Sequence, residues 1–212
     1  MKAWLIVLIV IGAVALASAA YFLLKGPDLR SYLVLAEPRI GHRPPERVLE
    51  VKFSGPAETE IKAAYGVLFK SYYSLKGAPK GPAMRPPKAR YQLNLDLSVP
   101  AGKRLMDFQS GSWKGEVAIP IPESLIVTEQ TPNAKGMLAE AATWEYGEVA
   151  EILHHGSYES EPTTIQKLED FIMEKGYKAI GDHEEEYLKG PGMLFVSPKD
   201  YWTVIRYRIE AK

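Results

Sequence analysis

Hydrophobic positions along this chain follow three patterns. The first is an unbroken run. Residues 3–24, AWLIVLIVIGAVALASAAYFLL, carry no charge over 22 positions. As a helix rising about 1.5 Å per residue, they match a hydrocarbon core of about 30 Å. The alternative is a cleaved signal, with Met1-Lys2 as its basic start and Ala17-Ser18-Ala19 as its small-residue cut site. The run is longer than the usual signal core and continues through Tyr21, Phe22, Leu23 and Leu24 beyond that site, which favours an uncleaved anchor. Gly26-Pro27 ends it.

The second pattern is helical. Ile61, Tyr65, Leu68, Tyr72 and Leu75 recur at steps of four and three, an amphipathic stripe that stops at Lys76-Gly77. Ile165, Leu168, Phe171 and Ile172 form a second stripe, starting near Ser160, with Pro162 tolerated in the first turn and Lys175-Gly176 as its end. The third pattern is alternation. Tyr91 to Val99 (YQLNLDLSV) alternates strictly and predicts a half-buried strand. Strands are also expected at Ser31–Glu37, Arg47–Phe53, Val117–Ile121, Ser124–Thr128, Glu148–His155 and Tyr201–Ile209.

Two of these stretches resemble each other. Val48, Glu50, Val51 and Gly55 match Val149, Glu151, Ile152 and Gly156 in one register, each an apolar run ending in glycine and followed by a helix. The chain thus predicts an α+β fold, with duplicated β-α-β-β modules forming antiparallel sheet with two packed helices, plus an N-terminal transmembrane helix. The predicted boundaries are an anchor at 1–25, a juxtamembrane segment at 26–38 and a domain at 39–212, whose repeats (about 39–101 and 137–212) are joined by 102–136. Tyr201–Ile209 takes the place of Tyr91–Val99 in this scheme.

Composition narrows the function. The 26 basic and 26 acidic side chains cancel, so no long-range field draws nucleic acid. With no cysteine, there are no disulfides, thiolate metal sites or cysteine nucleophiles. His154 and His155 point to opposite faces of a strand, and with His42 and His183 they make no zinc spacing, so neither metal nor cofactor is expected. No nucleotide loop or hydrolase elbow occurs. Lys25, Arg30, Arg39 and Arg43 follow the apolar run, so positive-inside counting leans towards a single-pass protein with a cytoplasmic domain; a periplasmic or extracellular domain is the alternative.

The segment VAEILHHGSYESEPTTIQKLEDFIMEKGYKAIG, followed by EEEYLKGP and YWTVIRYRI, resembles the second half of the GyrI-like small-molecule-binding domain, the effector-binding type of bacterial regulators. The resemblance spans roughly Arg39 to Glu210. It implies a pseudo-two-fold pair of modules with an aromatic-lined cleft between them, and a small amphiphilic or cationic ligand. Ligand-binding candidates are Tyr91, Trp113, Tyr158, Glu186, Tyr187 and Trp202. Tyr65 and Tyr72, on the helical stripe, are assigned to the core. Many members carry a last-strand glutamate where this chain has Thr203-Val204-Ile205, which argues against both cation binding and the family's hydrolytic activity. Were the protein an enzyme, Glu186 from the cluster Glu184-Glu185-Glu186 would be the base and Tyr187 the donor; a protein-binding adaptor is a further alternative.

Overall fold

The computed structural model describes residues 28–93, 96–97, 99–104, 112–127, 133, 135–193 and 195–212. The predicted membrane helix and its cleavage site lie outside them. Among the described residues no helix is long and apolar enough to cross a membrane. Eight strands form one antiparallel sheet: β1 (Arg39–Arg43), β2 (Glu46–Pro56), β3 (Lys88–Tyr91), β4 (Ser112–Pro120), β5 (Ala139–Trp144), β6 (Gly147–His155), β7 (Tyr177–Lys189) and β8 (Trp202–Ala211). Helices α1 (Ala57–Ser74) and α2 (Glu161–Glu174) follow β2 and β6. The architecture is α+β.

The strand order is β1-β6-β8-β7-β3-β4-β2-β5. Only residues 44 and 45 separate β1 from β2, yet these stand six places apart in that order. The three Cα steps from Arg43 to Glu46 reach about 11 Å, whereas six strand spacings cover about 29 Å, so the sheet must curl until its ends meet. The pairing shows how it closes. Arg39 faces Glu151 and Val51 faces Ala139, so a step of 12 residues along β1–β2 matches a step of 12 along β5–β6. One long ladder therefore runs through both pairs. It is interrupted at Pro44-Pro45, which bring no N–H to it. Beyond the break, β2 turns to β4 and β6 turns to β8. The elements β2-α1-β3-β4 occupy one half of the sheet and β6-α2-β7-β8 the other.

Strand alternation divides the interior into two faces. On the face under α1, Leu49, Val51, Phe53, Val117 and Ile119 pack with Ala64, Leu68 and Tyr72. Under α2, Ile152, Ile205 and Tyr207 pack with Ile165, Leu168 and Ile172. The opposite face buries Val48, Ala118, Trp144, Tyr146 and Val149 together with many charges. Gly55, next to the last residue of β2, and Gly156, just after β6, have φ of 138° and 142°, a backbone region that favours glycine. A Cβ at Gly55 would lie 2.8 Å from Glu60 Cγ.

Four expectations need correction. Ser31–Glu37 is no strand: Arg30–Leu35 form a 3-10 helix, with Tyr32 N–H donating to Leu29 carbonyl and Asp28 accepting from Arg30 N–H, so its bonds close locally. The strand predicted from Tyr91 to Val99 instead runs from Lys88 to Tyr91, because Leu93 N–H donates back to Tyr91 carbonyl at 2.8 Å and turns the chain off the sheet. Positions 94, 95 and 98 of that stretch lie outside the described residues. Over Ser124–Val127 no strand forms; Arg47 donates to the carbonyls of Pro122, Glu123 and Leu125 and fixes a loop, while Thr128 lies outside the described residues. Finally, the partner of β8 in the other half is β4, and the counterpart of β3 is the unpredicted β7.

Leu168 is fully buried and Ile126 is 80% exposed. Leu168→Ala should lower unfolding free energy by about 2–5 kcal/mol in a denaturant titration, and Ile126→Ala should change it by no more than about 0.5 kcal/mol.

Candidate functional site

Strands β3 and β7 meet at the centre of the sheet, between the two helices. Their side chains on the helix-bearing face form a floor: Tyr91 from β3, and His183, Glu185 and Tyr187 from β7. Tyr65 of α1 stands edge-on to Tyr187 at 6.3 Å between ring centres. Tyr158, just before α2, does the same at 6.2 Å. Trp113 of β4 meets Tyr91 at 5.3 Å. Glu161, in the first turn of α2, is 6% exposed.

A hydrogen-bonded chain crosses this floor. Tyr187 hydroxyl donates to Glu185 Oε2 at 2.5 Å, which leaves Tyr91 hydroxyl as donor to Tyr187 at 2.7 Å. Glu185 Oε1 lies 3.0 Å from His183 Nε2, and His183 Nδ1 lies 2.9 Å from Tyr207 hydroxyl. Tyr207 donates to Glu169, which pairs with Arg104. Burial raises the hydroxyls of Tyr65, Tyr91 and Tyr187 well above their usual range, and the Glu185 charge adds to it. These phenols remain protonated donors. Burial, with Glu185 nearby, pushes the Glu161 carboxyl up to about 10. The site therefore holds a neutral carboxylic acid at pH 7.

The neighbouring glutamates face away. Glu184 and Glu186 point through the sheet into an ionic cluster with Lys88 and Arg206, both 1% exposed. Lys88 Nζ also donates to Glu46 at 2.5 Å and to Tyr146 hydroxyl at 3.1 Å, and Arg206 donates to Glu151 at 2.7 Å. Burial opposes the charge on Glu186, but Lys88 and Arg206 outweigh it and hold its carboxyl below the usual range. The same balance, with Arg206 leading, holds for Glu184. Tyr32 of the N-terminal 3-10 helix reaches Glu186 at 3.4 Å from that side. Burial and the Glu186 charge raise its hydroxyl to about 12.

The structure thus brings together Tyr91, Trp113, Tyr158 and Tyr187 of the predicted residues. Glu186 and Trp202 lie elsewhere. Glu186 belongs to the ionic cluster, and Trp202 packs at a tilt against His155, 5.2 Å between ring centres, beside Leu35, Leu188 and Val204. Sequence reasoning missed Glu161, Glu185 and His183, and it assigned Tyr65 to the core although its ring borders Tyr187. The signal for Glu185 was its spacing of two from Tyr187, which puts both on one face of a strand. His154 is buried and His155 exposed, as their opposite facings predict. A shallow hollow of about 730 Å³ on the outer flank of α2 is lined by surface side chains such as Gln166, Lys167 and Asp170. It shares no side chain with this floor.

No protein-family model and no curated protein sequence matches the chain. Solved structures do match in shape. A hydrolase from Listeria innocua superposes with a TM-score of 0.60 at 15% identity, over 82% of this chain and 92% of its own. The EcmrR C-terminal domain superposes with a TM-score of 0.57 at 12% identity, over 83% of this chain and 98% of its own. EcmrR in its complex with DNA gives 0.58 at 12% identity, over 93% of this chain and 65% of that one. The chain shares its fold with these solved structures. At these identities the likeness carries the architecture alone, and chemistry must come from the side chains.

Two measurements follow from the placement of the glutamates. Glu186→Ala leaves Lys88 and Arg206 short of a buried partner and should cost about 3–5 kcal/mol in unfolding free energy. Glu161 has a folded-state pKa above its unfolded value of about 4.3, so the folded state binds the extra proton between that value and about 10. Its contribution is complete below pH 4 and is lost as pH rises. Relative to wild type, Glu161→Gln should therefore gain stability from pH 5 to pH 9, by up to about 1.4 kcal/mol per pH unit, read as a growing difference in Tm.

Proposed function

We propose that this chain is a small-molecule-binding module whose ligand lies between α1 and α2, over β3 and β7, and that the ligand is an organic cation with an aromatic or aliphatic body. One observation carries the reading: two buried carboxyls, Glu161 and Glu185, stand within a ring of tyrosines. Tyrosine faces attract cations by about 0.5–2 kcal/mol each. A carboxylate so placed makes charge, and not size alone, the basis of selection. Among the described residues Glu185 is hydrogen-bonded to His183, and no lysine or arginine ion pair reaches Glu185 or Glu161. In this reading residues 3–24 hold the module at a membrane, where lipophilic cations concentrate.

Catalysis is the second reading. The relay from Tyr91 through Tyr187 to Glu185 places a proton donor beside a carboxylate, as acid–base chemistry requires. Here Glu185 takes the role that the sequence suggested for Glu186. Turnover of strained electrophiles that vanishes in Glu185→Gln but survives in a refolded Glu186→Gln would favour it.

The test of binding is a thermal-shift screen of the detergent-solubilised chain against lipophilic cations, neutral aromatics and lipids. A cation at a hundredfold excess over Kd should stabilise the protein by about 2.7 kcal/mol. Glu185→Gln or Tyr91→Ala should remove most of that shift. A response to neutral aromatics that Glu185→Gln leaves intact would refute the cationic assignment, and silence from every class would shift weight to a protein-binding role.

A further inference from the structure

We infer that the cleft selects protonated amines, cations that carry N–H, over cations that carry none, and that a bound amine displaces a proton from Glu161. The inference rests on the ligand-binding reading above and adds the chemistry of the head group. It begins from two buried acceptors. Glu161 Oε1 and Thr203 Oγ1 have no hydrogen-bond partner among the described residues, and Thr203 is fully buried.

These atoms belong to one region. Thr203 of β8 pairs with His154 of β6 on one side and Tyr187 of β7 on the other, so the three residues stand in a row across neighbouring strands. His154 Nδ1 lies 2.8 Å from Thr164 Oγ1, which ties that row to α2. Glu161 lies three residues before Thr164, on the same side of the helix. Glu161 interacts with Glu185 on β7, Tyr91 on β3 and Tyr158 just before its own helix; Glu185 is in turn bonded to His183 and Tyr187, and His154 on β6 meets α2 at Thr164. Burial lowers the tendency of His154 to take a proton. Among the ion pairs of the described residues no lysine or arginine reaches Glu161 or Glu185. The positive charge this corner lacks is left to the ligand.

A phosphonium or quaternary ammonium supplies charge but no hydrogen to Glu161 Oε1 or Thr203 Oγ1. A primary ammonium supplies both. Burial and the Glu185 charge keep Glu161 protonated at pH 7. An arriving ammonium reverses that balance: the carboxyl O–H bond breaks, its proton leaves to solvent, and the ammonium N–H donates to the carboxylate formed. One positive charge enters and one proton leaves. A hydrogen bond to a charged group corresponds to roughly tenfold or more in affinity.

The experiment compares 2-phenylethylammonium with its N,N,N-trimethyl counterpart by isothermal titration calorimetry on the detergent-solubilised full chain. The two share an aromatic body and a charge. The primary amine should bind at least roughly tenfold more tightly at pH 7. Its apparent enthalpy should vary with buffer ionisation enthalpy in the proportion of one proton released. Between pH 6 and pH 8 its affinity should rise. Glu161→Gln should abolish the proton release and reduce the preference, with little change for the trimethyl compound; Thr203→Val should reduce the preference on its own. Equal or tighter binding of the trimethyl compound, or amine binding without proton release, would overturn the inference and leave the ligand reading standing. If neither cation binds, the reading and the inference fall together.

Discussion

A carboxylate removed from water must find a partner, and that constraint organises this molecule. Three consecutive glutamates lie in β7, each less than a tenth exposed. Strand alternation sends them apart. Glu184 and Glu186 enter a cluster where Lys88 and Arg206 compensate their burial. Glu185, on the other face, receives a tyrosine hydroxyl and meets a histidine. The same strand thus carries a salt-bridged cluster on one side and a hydrogen-bonded polar site on the other, beside which Glu161 Oε1 and Thr203 Oγ1 have no partner among the described residues. Buried charge of the first kind resists change, since removing either partner strands the other. The second kind leaves acceptors for something else to meet.

Architecture was legible wherever periodicity was local. Both helices appear within a few residues of the predicted bounds, because their apolar stripes and glycine stops need no distant partner. The strands ending at Gly55 and Gly156 were equally plain. What escaped were segments whose state depends on neighbours. YQLNLDLSV alternates as a strand should, yet its ladder ends after Tyr91. YKAIGDHEEEYLK, rich in charge, carries little apolar signal but forms the longest strand among the described residues, because cations from β3 and β8 meet its glutamates.

The candidate site was half legible for the same reason. Aromatic residues announce themselves by type, and Tyr91, Trp113, Tyr158 and Tyr187 do converge. Carboxylates announce nothing until their facing is known. Choosing among Glu184, Glu185 and Glu186 requires the phase of a strand, and a single step of phase exchanges a salt-bridged residue for one on the helix-bearing face. Glu161 is harder still, since a glutamate in the first turn of a helix is an ordinary stabilising choice at an exposed N-terminus. Its burial depends on how α2 settles against β6 and β7.

The ladder joining residues 39–56 to 139–155 makes the halves depend on each other during folding. Its partners are roughly a hundred residues apart, so a large loop must close before the ladder rewards it, and non-local pairing of this kind slows folding. Neither half can cover its own edge: β1 guards β6, and β5 guards β2. A half severed from the chain would expose a strand whose best cover is a strand of its own kind. Two identical copies could then trade leading strands about a two-fold axis, with the swap as the interface. The fused chain holds that exchange within one molecule, at fixed effective concentration, and frees the two halves to differ at the seam where their side chains meet.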